Sequence, residues 1–138
     1  FLDRGSDERQ YCSPGIDLPI ASVMRSKYHE YPEYHTSLDN LEFVTAKGLG
    51  GGLDVYKKII TAIENNYNPM YAKYCEPQLG LRGLYSDSTF KTSLIVNLLA
   101  YADGEMSLLE IAKVINVPVW ELYSVSEILT ENKLLRNK

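Results

Sequence analysis

Three apolar helix patterns follow one another between residues 90 and 131, and the short breaks between them leave the end of this chain few ways to fold. "FKTSLIVNLLAYADG" reads as an apolar helix stopped by Gly104. Ser107 followed three residues later by Glu110 forms a capping box, in which hydroxyl and carboxylate each take a backbone N–H that the first turn would leave unpaired. It opens "LLEIAKVI", and Asn116-Val117-Pro118 then makes a tight turn into "VWELYSVSEILTEN". Three helices with a tight turn between the second and third predict a helix-turn-helix or winged-helix module. The closing "KLLRNK" is expected to be the first strand of a wing that the chain does not complete.

Charge decides what such a module binds. Between Val119 and Glu131 the third helix holds Glu121, Glu127 and Glu131 and no Lys or Arg. A recognition helix must approach a dense row of phosphates, where each carboxylate adds repulsion in place of counterion release. The formal net charge of −4 and pI of about 5.2 point the same way. Nucleic acid and anionic membrane surfaces are therefore excluded as expected partners, and neutral or basic ones are favoured. The module reads instead as a packing or interaction unit. Trp120 and Tyr123 are its contact candidates, Trp120 being equally acceptable as core, and a homo-oligomer formed through the winged helix is one outcome.

The first half of the chain is less regular. "IDLPIASVM" predicts a short buried strand over about Ile16 to Met24, interrupted by Pro19. Asp39 with Glu42 predicts a capped helix over about 39 to 47, which the run Gly48 to Gly52 breaks. Leu53, Tyr56, Ile59, Ile60 and Ile63 recur at three- and four-residue spacing, predicting a second helix with a buried face that ends near Asn65-Asn66. The stretch from "NPMYAKY" begins with strand-like alternation and ends in a Gly- and Ser-containing connector. These elements predict two domains, 1–88 and 89–138.

A chain of 138 residues buries roughly two thirds of its unfolded surface, enough for a real core. Cys12 and Cys75 stand far apart and outside any CxxC spacing, which suits a reduced, cytoplasmic protein without a disulfide framework. No apolar run approaches the roughly 20 residues needed to cross a bilayer. The opening "FLDRGSDERQY" has no Met and starts in mid-pattern, as the tail of a longer protein would.

His35 lies in "EYPEYHTSLDNLEFV", between a Tyr and a Thr and among carboxylates. A loop histidine in such company reads either as a solvated side chain or as part of a metal site, which needs three or four convergent ligands. The order of motifs along residues 5 to 43 favours the second reading. Ser6-Asp7-Glu8-x-x-Tyr11, Gly15-Ile16-x-x-Pro19 and Tyr34-His35-Thr36-x-x-Asp39 together resemble the last third of the co-catalytic zinc aminopeptidases and their glutaminyl-cyclase relatives. The first motif departs from the family pattern, with Glu8 where a His is usual. The whole chain, including "CEPQLGLRGLY", looks like the C-terminal portion of a bacterial family that joins an aminopeptidase-like domain to a winged helix, often in polysaccharide-biosynthesis settings.

The resemblance implies an α/β fold: the C-terminal part of an α/β/α zinc-aminopeptidase-like sandwich followed by a small winged-helix domain. It makes His35 the last ligand of a two-zinc site, with the Thr36 and Asp39 region fixing its loop. Such a site lowers the pKa of a bridging water and polarises a carbonyl, and it takes about five ligands. The other ligands have no counterpart here, and His29 is too near His35 to serve as the second histidine. The chain alone is therefore not expected to catalyse the hydrolysis of a peptide or amide-containing small substrate. By the same likeness Arg9 falls near the site as a candidate for a substrate carboxylate or for a structural ion pair. Glu76 and Arg82 fall where the chain returns toward the site, and scaffolding and substrate contact both stay open for them. The alternative is a non-enzymatic interaction or dimerisation module with a degenerate hydrolase-like part.

Overall fold

The computed structural model describes residues 5–85 and 89–138, with side-chain burial described from residue 91 in the second stretch. The chain divides into two compact units, Phe1–Lys58 and Ile59–Lys138. Its elements run α1 (Ser6–Tyr11), α2 (Ala46–Glu64), β1 (Pro69–Tyr71), a short 3-10 turn (Gly80–Arg82), α3 (Thr89–Tyr101), α4 (Leu108–Val114), α5 (Trp120–Glu131) and β2 (Leu135–Asn137). The boundary between the units falls inside α2.

The second unit is the winged helix that the sequence predicts, and its chain-ending devices are all visible. Ser107 accepts the Glu110 N–H at 3.3 Å, while the Glu110 carboxylate accepts the Ser107 N–H at 2.7 Å. α4 ends on Asn116 in the left-handed region (φ 57°), with the Val117 N–H returning to the Ala112 carbonyl and the Asn116 N–H to Lys113. α5 closes the same way on Lys133 (φ 56°), with the Leu134 N–H donating to the Leu129 carbonyl and the Lys133 N–H to Thr130. Both are the paired six-to-one and five-to-two bonds that satisfy the last carbonyls of a helix. Gly104 (φ 83°) ends the α3 run close against Met70, so its missing Cβ serves both turn and contact. The core is built by these helices: Ile95, Leu98, Leu108, Ile111, Leu122, Val125, Leu129 and Leu134 are almost fully enclosed.

β2 is the wing strand expected from "KLLRNK", but the wing is not left incomplete, because its partner strand lies upstream. It pairs antiparallel with β1 in the register Pro69↔Asn137, Met70↔Arg136 and Tyr71↔Leu135, while Met70 also bridges Asp103. The sequence placed the domain boundary at 88/89. The sheet instead joins residues from both sides of that point, and the compact unit starts at Ile59.

The first unit departs most from expectation. No strand forms over Ile16–Met24; the segment is irregular, and Ile16, Leu18, Val23 and Met24 are exposed. Its fixed points are bonds to carbonyls rather than a ladder: the Cys12 thiol donates to the Leu18 and Ile20 carbonyls at 3.1 and 3.3 Å. The helix predicted over 39–47 is also replaced. Asn40 Oδ1 accepts the N–H groups of Glu42 and Phe43, at 2.8 and 3.3 Å. That side chain takes the donors a first helical turn would expose and makes a turn instead.

α2 then starts at Ala46 with Thr45 Oγ1 accepting the Gly48 N–H at 3.1 Å, and it runs through Gly48–Gly52 without a break. Each interior glycine costs about 1 kcal/mol relative to alanine. At Gly51 the structure uses the bare backbone, because a Cβ there would meet the Arg25 Nη2 at 2.5 Å. α2 ends at Glu64 as its spacing predicts, yet its apolar stripe is not buried: Ile60 and Ile63 are 58% and 67% exposed. The described residues thus show a mainly helical chain with one small sheet, and no α/β/α sandwich.

Candidate functional site

Positioned by two positive-φ turns, His29 (φ 67°) and His35 (φ 57°) lie either side of one tyrosine in the first unit. The His35 ring stacks on Tyr34, with centroids 4.1 Å apart and an interplanar angle of 12°. His29 meets Tyr34 edge-on at 4.7 Å. The row continues from Tyr34 to Tyr31 at 5.8 Å and from Tyr31 to Phe43, which stack at 5.7 Å. Aromatic pairs at these separations contribute beyond simple area burial, so the tyrosine-rich loop is held by its own rings. Thr36 fixes the next turn: its hydroxyl donates to the Glu33 carbonyl at 2.9 Å and accepts the Leu38 N–H at 3.2 Å. His35 is exposed, its ring oriented by Tyr34.

Glu8, where the family pattern has a histidine, is the one buried residue of the first unit among those described. Its carboxylate accepts the Gly5 N–H at 3.3 Å and the Ser22 hydroxyl at 2.8 Å, tying α1 to the irregular segment. Beside it the Tyr28 hydroxyl is enclosed without a hydrogen-bond partner and lies against Gly5. Arg9, one residue on, is exposed in the last turn of α1.

The other two candidates belong to the second unit. Glu76 lines a cavity of about 460 Å³ with Tyr71, Cys75, Leu79, Val96 and Leu99. The Tyr71 hydroxyl donates to the Cys75 carbonyl at 2.8 Å. Burial pushes that hydroxyl's pKa up; Arg82 opposes the rise, and Cys75 and Glu76 reinforce it. Glu76 and Arg82 thus share the electrostatic surroundings of Tyr71, on the winged-helix side, while Arg9 and His35 fall in the first unit.

Among the described residues no three His, Cys, Asp or Glu side chains come together as a metal would require. One oriented imidazole is a fit for a zinc ligand, but it is not a zinc site. The sequence reading passed over Arg25, Tyr28 and Ser22. The arginine standing just before "YHEYPEY" was the available signal for the first of these.

A short helix pair, its turn and a two-stranded wing define the second unit as a winged helix. The chain belongs to the winged helix-turn-helix family, whose profile matches residues 67–137. Residues 1–66 match the profile of a domain of unknown function (DUF4910). Over 120 residues, 81% of this chain and 27% of the relative, it is 46% identical to a Clostridium acetobutylicum protein provisionally named a polysaccharide biosynthesis protein with an aminopeptidase-like domain. The crystal structure of a protein from the same organism, provisionally named a peptidase, superimposes with a TM-score of 0.87 at 37% identity, covering 100% of this chain and 31% of that one. The chain therefore spans about a third or less of the proteins it matches.

Proposed function

We propose that this chain is the C-terminal portion of a zinc-dependent aminopeptidase-like hydrolase, in which His35 is one of the metal ligands and the chain alone is not catalytic. The observation that carries this reading is an exposed imidazole oriented by the stacked Tyr34, in a segment 46% identical to a protein named for an aminopeptidase-like domain. The remaining ligands come from sequence that these 138 residues do not cover. The first unit supports that arrangement, because its apolar side chains at Ile16, Leu18, Val23, Leu53 and Val55 lie exposed. They are the surface that an α/β/α sandwich would cover with further strands and helices. The intact protein is cytoplasmic in this reading and hydrolyses a peptide or amide-containing small substrate, with Arg9 facing the site.

The test is zinc content and aminopeptidase activity of the intact protein, wild type against His35→Ala and His29→Ala. About two zincs per chain are expected in the wild type. His35→Ala should lose metal and activity, and His29→Ala should keep both. Full zinc and full activity in His35→Ala would overturn the assignment. A second reading, that the winged helix docks a partner or a second copy, is favoured by Trp120, which is 50% exposed at the start of the acidic α5. A monomeric intact protein whose oligomeric state ignores Trp120→Ala would remove it.

A further inference from the structure

The first unit contains a cavity of about 390 Å³, lined by Arg25, Ser26, Tyr31, Phe43, Thr45 and Gly48 among others. Three features of its wall are chemically distinct. Arg25 is exposed, and among the described residues no carboxylate pairs with its guanidinium. In the same lining, Tyr31 and Phe43 stack at 5.7 Å with an interplanar angle of 24°, giving the cavity an aromatic wall. The guanidinium also lies against Gly51, where any Cβ would stand 2.5 Å from Nη2. The bare stretch of α2 therefore leaves room for the position Arg25 takes.

A planar guanidinium presents a fork of N–H donors that matches a carboxylate in a bidentate pair, which a lysine cannot reproduce. Combined with an aromatic wall, it selects an organic anion that carries an apolar body, rather than a small hydrated ion. From these contacts we infer that the cavity binds the free C-terminal carboxylate of a short peptide, with its last, apolar side chain on the Tyr31–Phe43 pair. The inference rests on the hydrolase reading above and gives that site a substrate class. The geometry joins the two, since Tyr31 leads through Tyr34 to His35 by ring contacts of 5.8 and 4.1 Å. A peptide spanning this row has its carboxyl end at Arg25 and its amino end toward His35. Arg25, rather than Arg9, then holds the carboxylate.

The test uses the 138-residue chain and the dipeptide Ala-Phe, followed by chemical-shift titration, because carboxylate binding at Arg25 needs no zinc. Saturable millimolar binding is expected, weakened about tenfold or more by Arg25→Ala and less by Arg25→Lys. Ala-Phe amide, which lacks the charge, should bind as weakly as the dipeptide does to Arg25→Ala. Acetate and inorganic phosphate should bind more weakly than Ala-Phe. Unchanged chemical shifts of Tyr34, His35 and Thr36 in the ligand-free variants establish that the fold around the cavity is intact. No binding of Ala-Phe, equal binding of its amide, equal binding by Arg25→Ala, or phosphate binding as tight as the dipeptide would each overturn the inference. Loss of zinc binding by the intact protein with Ala-Phe binding retained would instead refute the hydrolase reading, so the two failures are distinguishable.

Discussion

Among the polar side chains of this protein, Ser126 is one whose partner matters because water reaches it poorly. Ser126, 6% exposed on α5, shares a short hydrogen bond with the Tyr67 hydroxyl, and Thr130 in turn donates to the Ser126 carbonyl at 2.8 Å. Removing one member of a buried pair leaves the other unsatisfied, which costs about 1–3 kcal/mol. Ser126→Ala should therefore lower stability by about that amount. Tyr67→Phe with Ser126→Ala should cost clearly less than the sum of the single changes. Denaturant unfolding of the four proteins measures the coupling, and strict additivity would show that the bond contributes nothing. Tyr123 is partly buried, and that burial raises its hydroxyl pKa.

At the scale of elements, what could be read from the sequence was whatever a helix needs at its own ends. The Ser107–Glu110 box, the Asn116 turn, the stop at Gly104 and the end of α2 near Asn65 all depend on local residues, and all are present. What failed was decided elsewhere in the chain. Asn40 captured the N–H groups assigned to a helix beginning at Asp39. The glycines from 48 to 52, read as a break, instead lie within a nineteen-residue helix on which Arg25 rests. The strand predicted over 16–24 has the right residues and no neighbouring strand among those described, and a ladder cannot form from one side alone. Of the candidate site, His35 was legible through its motif, whereas Arg25 and the enclosed Glu8 depend on tertiary placement.

The capping box also carries a pH signature. The Ser107 N–H and hydroxyl both donate to Glu110 and hold its carboxyl pKa below the usual range, and the N–H groups of Glu105 and Met106 do the same for Asp103. A carboxylate whose folded pKa is depressed stabilises the fold above its unfolded pKa, and that contribution is lost as pH falls through the folded value. The unfolded values are 4.5 for Glu110 and 3.8 for Asp103. Ser107→Ala should cost about 0.5–2 kcal/mol at neutral pH, as helix-cap removals do. Its deficit should shrink below pH 4.5 as Glu110 takes up a proton. Melting curves of the two proteins across that range provide the check, and a deficit independent of pH would show that the bond from the Ser107 hydroxyl to the Glu110 carboxylate adds nothing to the cap.

For the molecule as a whole, the decisive contrast is where apolar surface is removed from water. Every buried hydrophobic side chain among the described residues lies between Pro69 and Leu135, in the second unit, and Glu8 alone is buried in the first. Burial of apolar area is the main force favouring folding, and local stability follows its density. The second unit should therefore behave as the cooperative core of this chain, and the first should open at little free-energy cost. Hydrogen exchange on the 138-residue chain should show the slowest amides in α3 and α5, with those of 16–45 exchanging orders of magnitude faster. Leu98, fully enclosed, sets the scale. Leu98→Ala should lower protection in α3 and α5 by about 2–5 kcal/mol, the usual cost of a truncated core leucine. If the intact protein is the proposed hydrolase, segment 16–24 should become protected there, because further elements would cover Ile16, Leu18 and Val23. Equal protection of that segment in both proteins would mean that the first unit is complete in itself and that the exposed apolar surface covers nothing.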